Sequence, residues 1–399
     1  MNKDIAKRLE AKNMAKEYER KIKEEKPVVA ICYDFDKTLT PSDMQAQGFI
    51  QSVGYNVNSF WEKSNGLAEN NGMDQNLAYM YTMLQESTGK VLFTKKSLME
   101  YGAKIQLFPG VEDWFEQIRT YAKEKGVILE HYIISSGLKE MIEGTKIANS
   151  FEKIYASSFY YEKNVAVWPA QVVNYTNKTQ FLFRIEKGTL DVNDSGINDF
   201  FKPENIRVPF RNMIYIGDSD TDIPCMKLVN TNGGHSIGVY DPTTKKKEKV
   251  YKMMHDNRIK YFAPADYTEG SDLNKLVKAI IDRTYYNEVL ENIHYKNKKE
   301  YEQDEANFTK EQEAKKALLL SLEESRSFRT THTIIAEMRR IHYWSQPEAN
   351  WLIDIAYSNS QVHSIMQDVD IAGFYNGIID IADPSDEKVI EIKKILSES

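Results

Sequence analysis

Short unbroken apolar runs and longer stretches of three-to-four spacing alternate along most of this chain. The first run, Val28 to Cys32 within PVVAICYDF, has no polar face, the pattern of a strand covered on both sides in a parallel sheet. VILEHYIISSG (127–137), RNMIYIGDS (211–219), HSIGVYD (235–241) and IKYFAPA (259–265) repeat it, each ending in small or polar residues. Stretches of helical spacing separate these runs. The alternation predicts an α/β fold, a doubly wound, mostly parallel Rossmann-like sheet. Ligands of such sheets bind beyond the C-terminal ends of the strands.

Elsewhere the pattern is helical throughout. Residues 2–25 set Ile5, Leu9, Met14, Tyr18 and Ile22 on one thin stripe, which predicts an N-terminal helix within 1–26, closed by Lys26-Pro27. Segment 42–104 holds helical patterns and no strand run, with Met73, Leu77, Met80 and Leu84 at helical spacing. It predicts a helical cap inserted into an α/β core of 27–41 and 105–283. Residues 284–326 read as a charged helical linker and 327–399 as a small all-helical C-terminal module. That module contains a capping box, SQPE from Ser345 with Pro347 in the first turn, and a closing helix with Val389, Ile392 and Ile395 on one face. Oligomerisation through 284–399 is one use such an extension could have.

Composition narrows the class. Of 399 residues, 41% are hydrophobic and 28% charged, the balance of a globular chain. The formal net charge of -7 lacks the basic field of a dedicated nucleic-acid binder, yet leaves room for a small anion in a locally positive pocket. Cys32 and Cys225 offer neither a disulfide framework nor zinc spacing and should pack as small apolar groups. The charged N-terminus is no signal peptide and no apolar run approaches the roughly 18 residues of a membrane span, so a cytoplasmic location without membrane partners is expected. His235, His332 and His342 lack metal spacing, and KKKEK at 245–249 reads as an exposed helix face.

The chemistry is concentrated where the apolar runs end. Asp34 and Asp36 stand two positions apart in YDFDKTLTP, at the mouth of the first strand. Asp-x-Asp-x-Thr alone carries little information; its position gives it weight. Two like charges there are tolerable with a cation between them, and an all-oxygen donor set points to Mg2+. A phosphoryl-transfer site needs three further parts: another carboxylate, a positive group, and a hydroxyl with nearby backbone N–H donors. They follow in order. Ser135, Ser136 and Gly137 end the second run, Lys178 falls where the first turn of a helix should lie, and Asp218 just passes another run with Asp222 four residues on.

With these four ordered motifs, DFDKT, IISSG, Lys178 and GDSDTD, the chain resembles the haloacid dehalogenase (HAD) superfamily of phosphohydrolases over about residues 27–283. The cap position, LFPGVEDWFEQIR and SSG are most similar to its phosphoserine phosphatase-like branch. The resemblance implies Asp34 as nucleophile and Asp36 as acid and base. It implies Mg2+ held by Asp34, the backbone carbonyl of Asp36 and Asp218, with Asp222 helping directly or through water. It also implies a phosphate-binding set of Ser135, Ser136, Gly137 and Lys178, with Thr38 bracing the first loop. For Asp222 the alternative is a structural partner of Lys178, and Trp61 and Tyr81 in the cap read as core before substrate-stacking residues. The activity implied is Mg-dependent hydrolysis of a phosphate monoester through an aspartyl-phosphate. A phosphorylated small molecule is the first choice of substrate and a macromolecule the second. A reading from another class is a sensor or assembly protein that binds a phosphorylated ligand and signals through the C-terminal module. The module's YSNSQVHSIMQDVDIAGFYNGI is similar to tails of bacterial stress or phage-defence proteins.

Overall fold

The run Val28–Tyr33 forms strand β1, and every residue of it is buried. The computed structural model describes residues 18–397, apart from the side chains of 306–309. Strands β2 (Ile128–Leu138), β3 (Lys153–Glu162), β4 (Val165–Gln171), β5 (Met213–Gly217), β6 (His235–Tyr240) and β7 (Tyr261–Pro264) complete one sheet of order β4-β3-β2-β1-β5-β6-β7. All neighbours are parallel except β3 and β4. Because strand side chains alternate, β1 feeds two cores. Val29, Ile31 and Tyr33 pack with Trp114, Phe115 and Leu273, while Val28, Ala30 and Cys32 pack with Phe181, Leu182 and Met226. That two-sided burial explains the absence of any polar position in the run. Cys32 and Cys225 are both free and buried, as apolar filling requires.

Two elements differ from the sequence reading. Between β2 and β5 the expected helical crossover is preceded by a hairpin of β3 and β4. Its turn is Lys163-Asn164 with φ of 47° and 69°, the left-handed pair that a two-residue hairpin uses. Tyr155, Ala156 and Ser157 are all buried, and the available signal was the β-branched and aromatic content of KIYASSFYYE. The second difference is at the N-terminus, where residues 18–25 are not helical. Here tertiary ion pairs override a thin apolar stripe: Arg20 grips Asp194 at 2.7 Å, Lys21 pairs with Glu130 and Glu152, and Glu24 with Arg207 at 2.6 Å. The remainder of that predicted helix, residues 2–17, lies outside the described residues.

The cap is helical, as its spacing predicts: Phe49–Ser52, Val57–Asn71, Gln75–Ser87 and Lys95–Gly102. Side chains that satisfy free N–H groups set the starts of the three longer helices. Asn56 accepts from Ser59 N (2.9 Å), Asp74 from Asn76 N (2.8 Å) and Thr94 from Ser97 N (3.1 Å).

The chain divides into two compact units, one ending at Asn292 and one beginning at Ile293. The helix Asp272–Glu323 starts within the segment read as core and continues through the segment read as linker. The second unit is all helical, with Phe328–Met338, Gln346–Ser358, Ser360–Ser364, Val369–Ile379 and Glu387–Ser397 around Ile335, Leu352, Tyr375 and Ile392. Glu348 accepts from the Ser345 N–H (2.7 Å), closing the expected capping box, and Leu396 joins Val389 and Ile392 in the core, with Ile395 half-buried beside them. Among the described residues, no helix is long and apolar enough to cross a membrane.

Candidate active site

Parallel register assembles the site. Tyr33 pairs with Ile133 on one side and Ile216 on the other, so Asp34, Ser135 and Asp218 leave the sheet at the same edge although they are distant in sequence. Asp34 N–H still donates to Ile216 O (3.0 Å), holding its backbone against β5. Asp34, Ser135, Ser136, Gly137, Asp36 and Asp218 line one cleft of about 370 Å³. Lys178 caps the helix Thr179–Lys187, and its side chain lies wholly buried under the floor.

Its ammonium stands 2.8 Å from Asp222 Oδ1 and 3.2 Å from Asp34 Oδ1. Tyr215 OH also donates to Asp222 Oδ1 (2.9 Å), so this oxygen is shared by Lys178 and Tyr215. It nevertheless lies in the acidic group: one carboxylate oxygen from each of Asp34, Asp218 and Asp222 falls within 4.8 Å of the others. Burial, then the charges of Asp222 and Asp34, push Asp218 up to about 7; burial and Asp222 push Asp34 up to about 6. For Lys178 burial opposes the charge, but Asp222 and Asp34 outweigh it and keep the group protonated. Asp34 Oδ1 is buried and has the Lys178 ammonium, at 3.2 Å, as its ion-pair partner. Three converging carboxylates against one buried ammonium leave negative charge in excess, and an all-oxygen donor set of this kind fits a hard divalent cation such as Mg2+.

Asp36 is aimed by the cap, since Met44 N–H donates to its Oδ1 at 2.7 Å. Burial, then Asp43 and Asp34, push its carboxyl well above the carboxylate range. Gly137 sits close by: a Cβ there would stand 3.0 Å from Asp36 Oδ2 and would push aside the flexible end of Met44. Gly137 N–H donates to Ser135 Oγ (3.1 Å), and Tyr79 OH from the cap donates to Ser136 O (2.7 Å). Thr38 is buried and outside the cleft lining; its carbonyl accepts from Tyr267 OH (2.8 Å), and its own hydroxyl is buried without a hydrogen-bond partner.

Sequence reasoning missed much of the wall. Asp43, Gln45, Asn65, Gln75, Asn76, Tyr79 and Lys249 all line the cleft without belonging to a motif, and Lys37, inside DFDKT, lines it without having been assigned a role. Tyr81 is half exposed and away from it, while Trp61 lines it and also packs edge-on against Phe60 and Tyr79. The KKKEK run is not one exposed helix face, because Lys245 to Lys247 precede the helix Glu248–His255, and Lys249 reaches to 3.7 Å from Asp218 Oδ2. A pattern of cap polarity at i and i+4, Trp61 and Asn65, was the one sequence signal for the wall.

A family model of haloacid dehalogenase-like hydrolases matches residues 31–227, which contain Asp34, Ser135, Lys178, Asp218 and Asp222. The chain belongs to this family of hydrolases. An uncharacterized protein of Borreliella burgdorferi is 30% identical over 280 residues, spanning 63% of this chain and 95% of its own. Among solved structures, a HAD family hydrolase from Salmonella enterica subsp. enterica serovar Typhi is 16% identical, with 65% of this chain and 73% of that one covered and a TM-score of 0.41. A phospho-aspartyl intermediate analogue of phosphoserine phosphatase is 14% identical, with 64% and 99% covered and a TM-score of 0.39.

Proposed function

We propose that this chain is a Mg-dependent phosphatase that hydrolyses a phosphate monoester through an aspartyl-phosphate on Asp34. The observation that carries the reading is the floor of the cleft: the buried Asp34 carboxylate beside Asp218 and Asp222, with its Oδ1 3.2 Å from the Lys178 ammonium. Asp34, Asp218, the backbone carbonyl of Asp36 and Asp222 would hold the cation, which would neutralise charge developing on the phosphoryl oxygens.

In the first step a carboxylate oxygen of Asp34 attacks phosphorus and the ester P–O bond breaks. The departing oxygen takes the proton of Asp36, whose raised affinity for protons suits an acid near neutrality. Asp36, now ionised, takes a proton from water as that water attacks phosphorus, and the bond to Asp34 breaks to release phosphate. Ser135 Oγ, the N–H groups of Ser136 and Gly137, and Lys178 receive the phosphoryl oxygens.

Asp34→Asn tests the mechanism, using p-nitrophenyl phosphate with Mg2+. The expected outcome is loss of turnover with an unchanged folded signal in circular dichroism. Full activity in that variant would refute the reading.

A further inference from the structure

The two sides of the cleft differ in charge. Its ammonium groups, Lys37 and Lys249, come from the core, and each stands near a carboxylate, 2.8 Å from Asp43 and 3.7 Å from Asp218. The wall given by the cap helices Val57–Asn71 and Gln75–Ser87 is neutral: Trp61, Asn65, Gln75, Asn76 and Tyr79. Besides Asp34 Oδ1, which faces Lys178, two polar atoms of cleft-lining residues, the Trp61 indole N–H and the Ser136 hydroxyl, are buried without a hydrogen-bond partner. An unmet buried donor carries a penalty that a bound acceptor removes.

We infer, resting on the phosphatase reading above, that the cap selects the phosphate ester of a neutral, hydroxyl-rich alcohol, a polyol or sugar. Side-chain amides both donate and accept, and so do hydroxyl groups, so Asn65, Gln75 and Asn76 match such a leaving group from several directions. The Asn76 amide is held in place by donation to Val173 O (3.0 Å). A free carboxylate or ammonium on the leaving group would lose water against this wall without gaining an opposite charge there. The Trp61 ring meets Phe60 and Tyr79 at 83° and 71°, so its neighbours hold it as a single flat face and not as one of two parallel rings around a base.

The test compares kcat/KM, with Mg2+, for p-nitrophenyl phosphate, glycerol 3-phosphate, sorbitol 6-phosphate, glucose 6-phosphate, phosphoserine and adenosine monophosphate. The best polyol or sugar ester should exceed phosphoserine and the nucleotide by about tenfold or more, the worth of one hydrogen bond. Trp61→Phe keeps a ring and removes the N–H, and should lower the ratio of polyol to aryl ester by about tenfold. Asn65→Arg, at an exposed position, puts a cation into the neutral wall and should narrow the gap to phosphoserine by a similar factor. Hydrolysis of the aryl ester with phosphoserine or the nucleotide preferred, or with equal rates across the panel, overturns the inference and leaves the phosphatase reading standing. Failure on every ester, the aryl one included, overturns both.

Discussion

Replacing Lys178 by methionine removes the ammonium buried beneath the cleft floor while keeping the bulk of its stem. The change strands carboxylates that stood 2.8 Å (Asp222) and 3.2 Å (Asp34) from the charge. Stripping one partner from a buried ion pair costs roughly 3–5 kcal/mol. A second route bounds the loss, because a stranded carboxylate can take up a proton. For an aspartate of ordinary pKa, about 3.9 in the unfolded chain, protonation at pH 7 costs about 1.4 kcal/mol per unit over about three units, or about 4 kcal/mol. At pH 5 the same escape costs only about 1.5 kcal/mol. The variant should therefore be about 4 kcal/mol less stable than the parent at pH 7 in chelator and only about 1.5 kcal/mol less stable at pH 5. Amide hydrogen exchange of β1 and β5 across a urea series measures this, since it reports the sheet unit separately from the helical one. A loss below about 1 kcal/mol at pH 7, or one that does not shrink toward pH 5, would refute the view that Lys178 balances buried charge.

Other perturbations test the surrounding structure. Glu130 is buried, which alone would raise its pKa, but hydrogen bonds from Arg207 (2.8 Å twice) and Lys21 hold it down at about 2. Its contribution is therefore full above about 4.5 and lost as pH falls toward 2. Arg207→Met should cost about 3–5 kcal/mol at neutral pH and flatten that acid limb in equilibrium unfolding. In the helical unit, hydrogen bonds from His332 to Asp370 (2.7 Å) and Asp368 (3.1 Å) raise the imidazole pKa. That contribution is complete below the ordinary histidine value and disappears as pH rises through the raised one, so amide protection factors in Phe328–Met338, which divide out the base-catalysed intrinsic rate, should fall on the alkaline side and His332→Gln should flatten that fall. Gly217 abuts the Asp222 carboxylate so closely that a Cβ would overlap it; Gly217→Ala should displace Asp222, weaken its bond with Lys178 and lower both the melting temperature and turnover.

The sequence alone determined the central strand and the motif residues, because both are local facts. An all-apolar run can be buried only between two layers, and Asp34 and Asp36 follow it directly. It also set the helical character of the cap and of the C-terminal unit, through three-to-four spacing and capping side chains such as Asn56, Asp74 and Ser345. Only the tertiary structure decided the rest. Register with β2 and β5 brought Asp34, Ser135 and Asp218 to one edge, and packing made Asp222 the buried partner of Lys178. Residues 18–25 lost a weak helical preference to ion pairs with Glu130, Asp194 and Arg207, all far along the chain. The cleft wall of Trp61, Asn65, Gln75 and Lys249 has no motif, since a wall is defined by which faces of separate elements meet, and that follows from long-range packing that spacing along the chain does not encode.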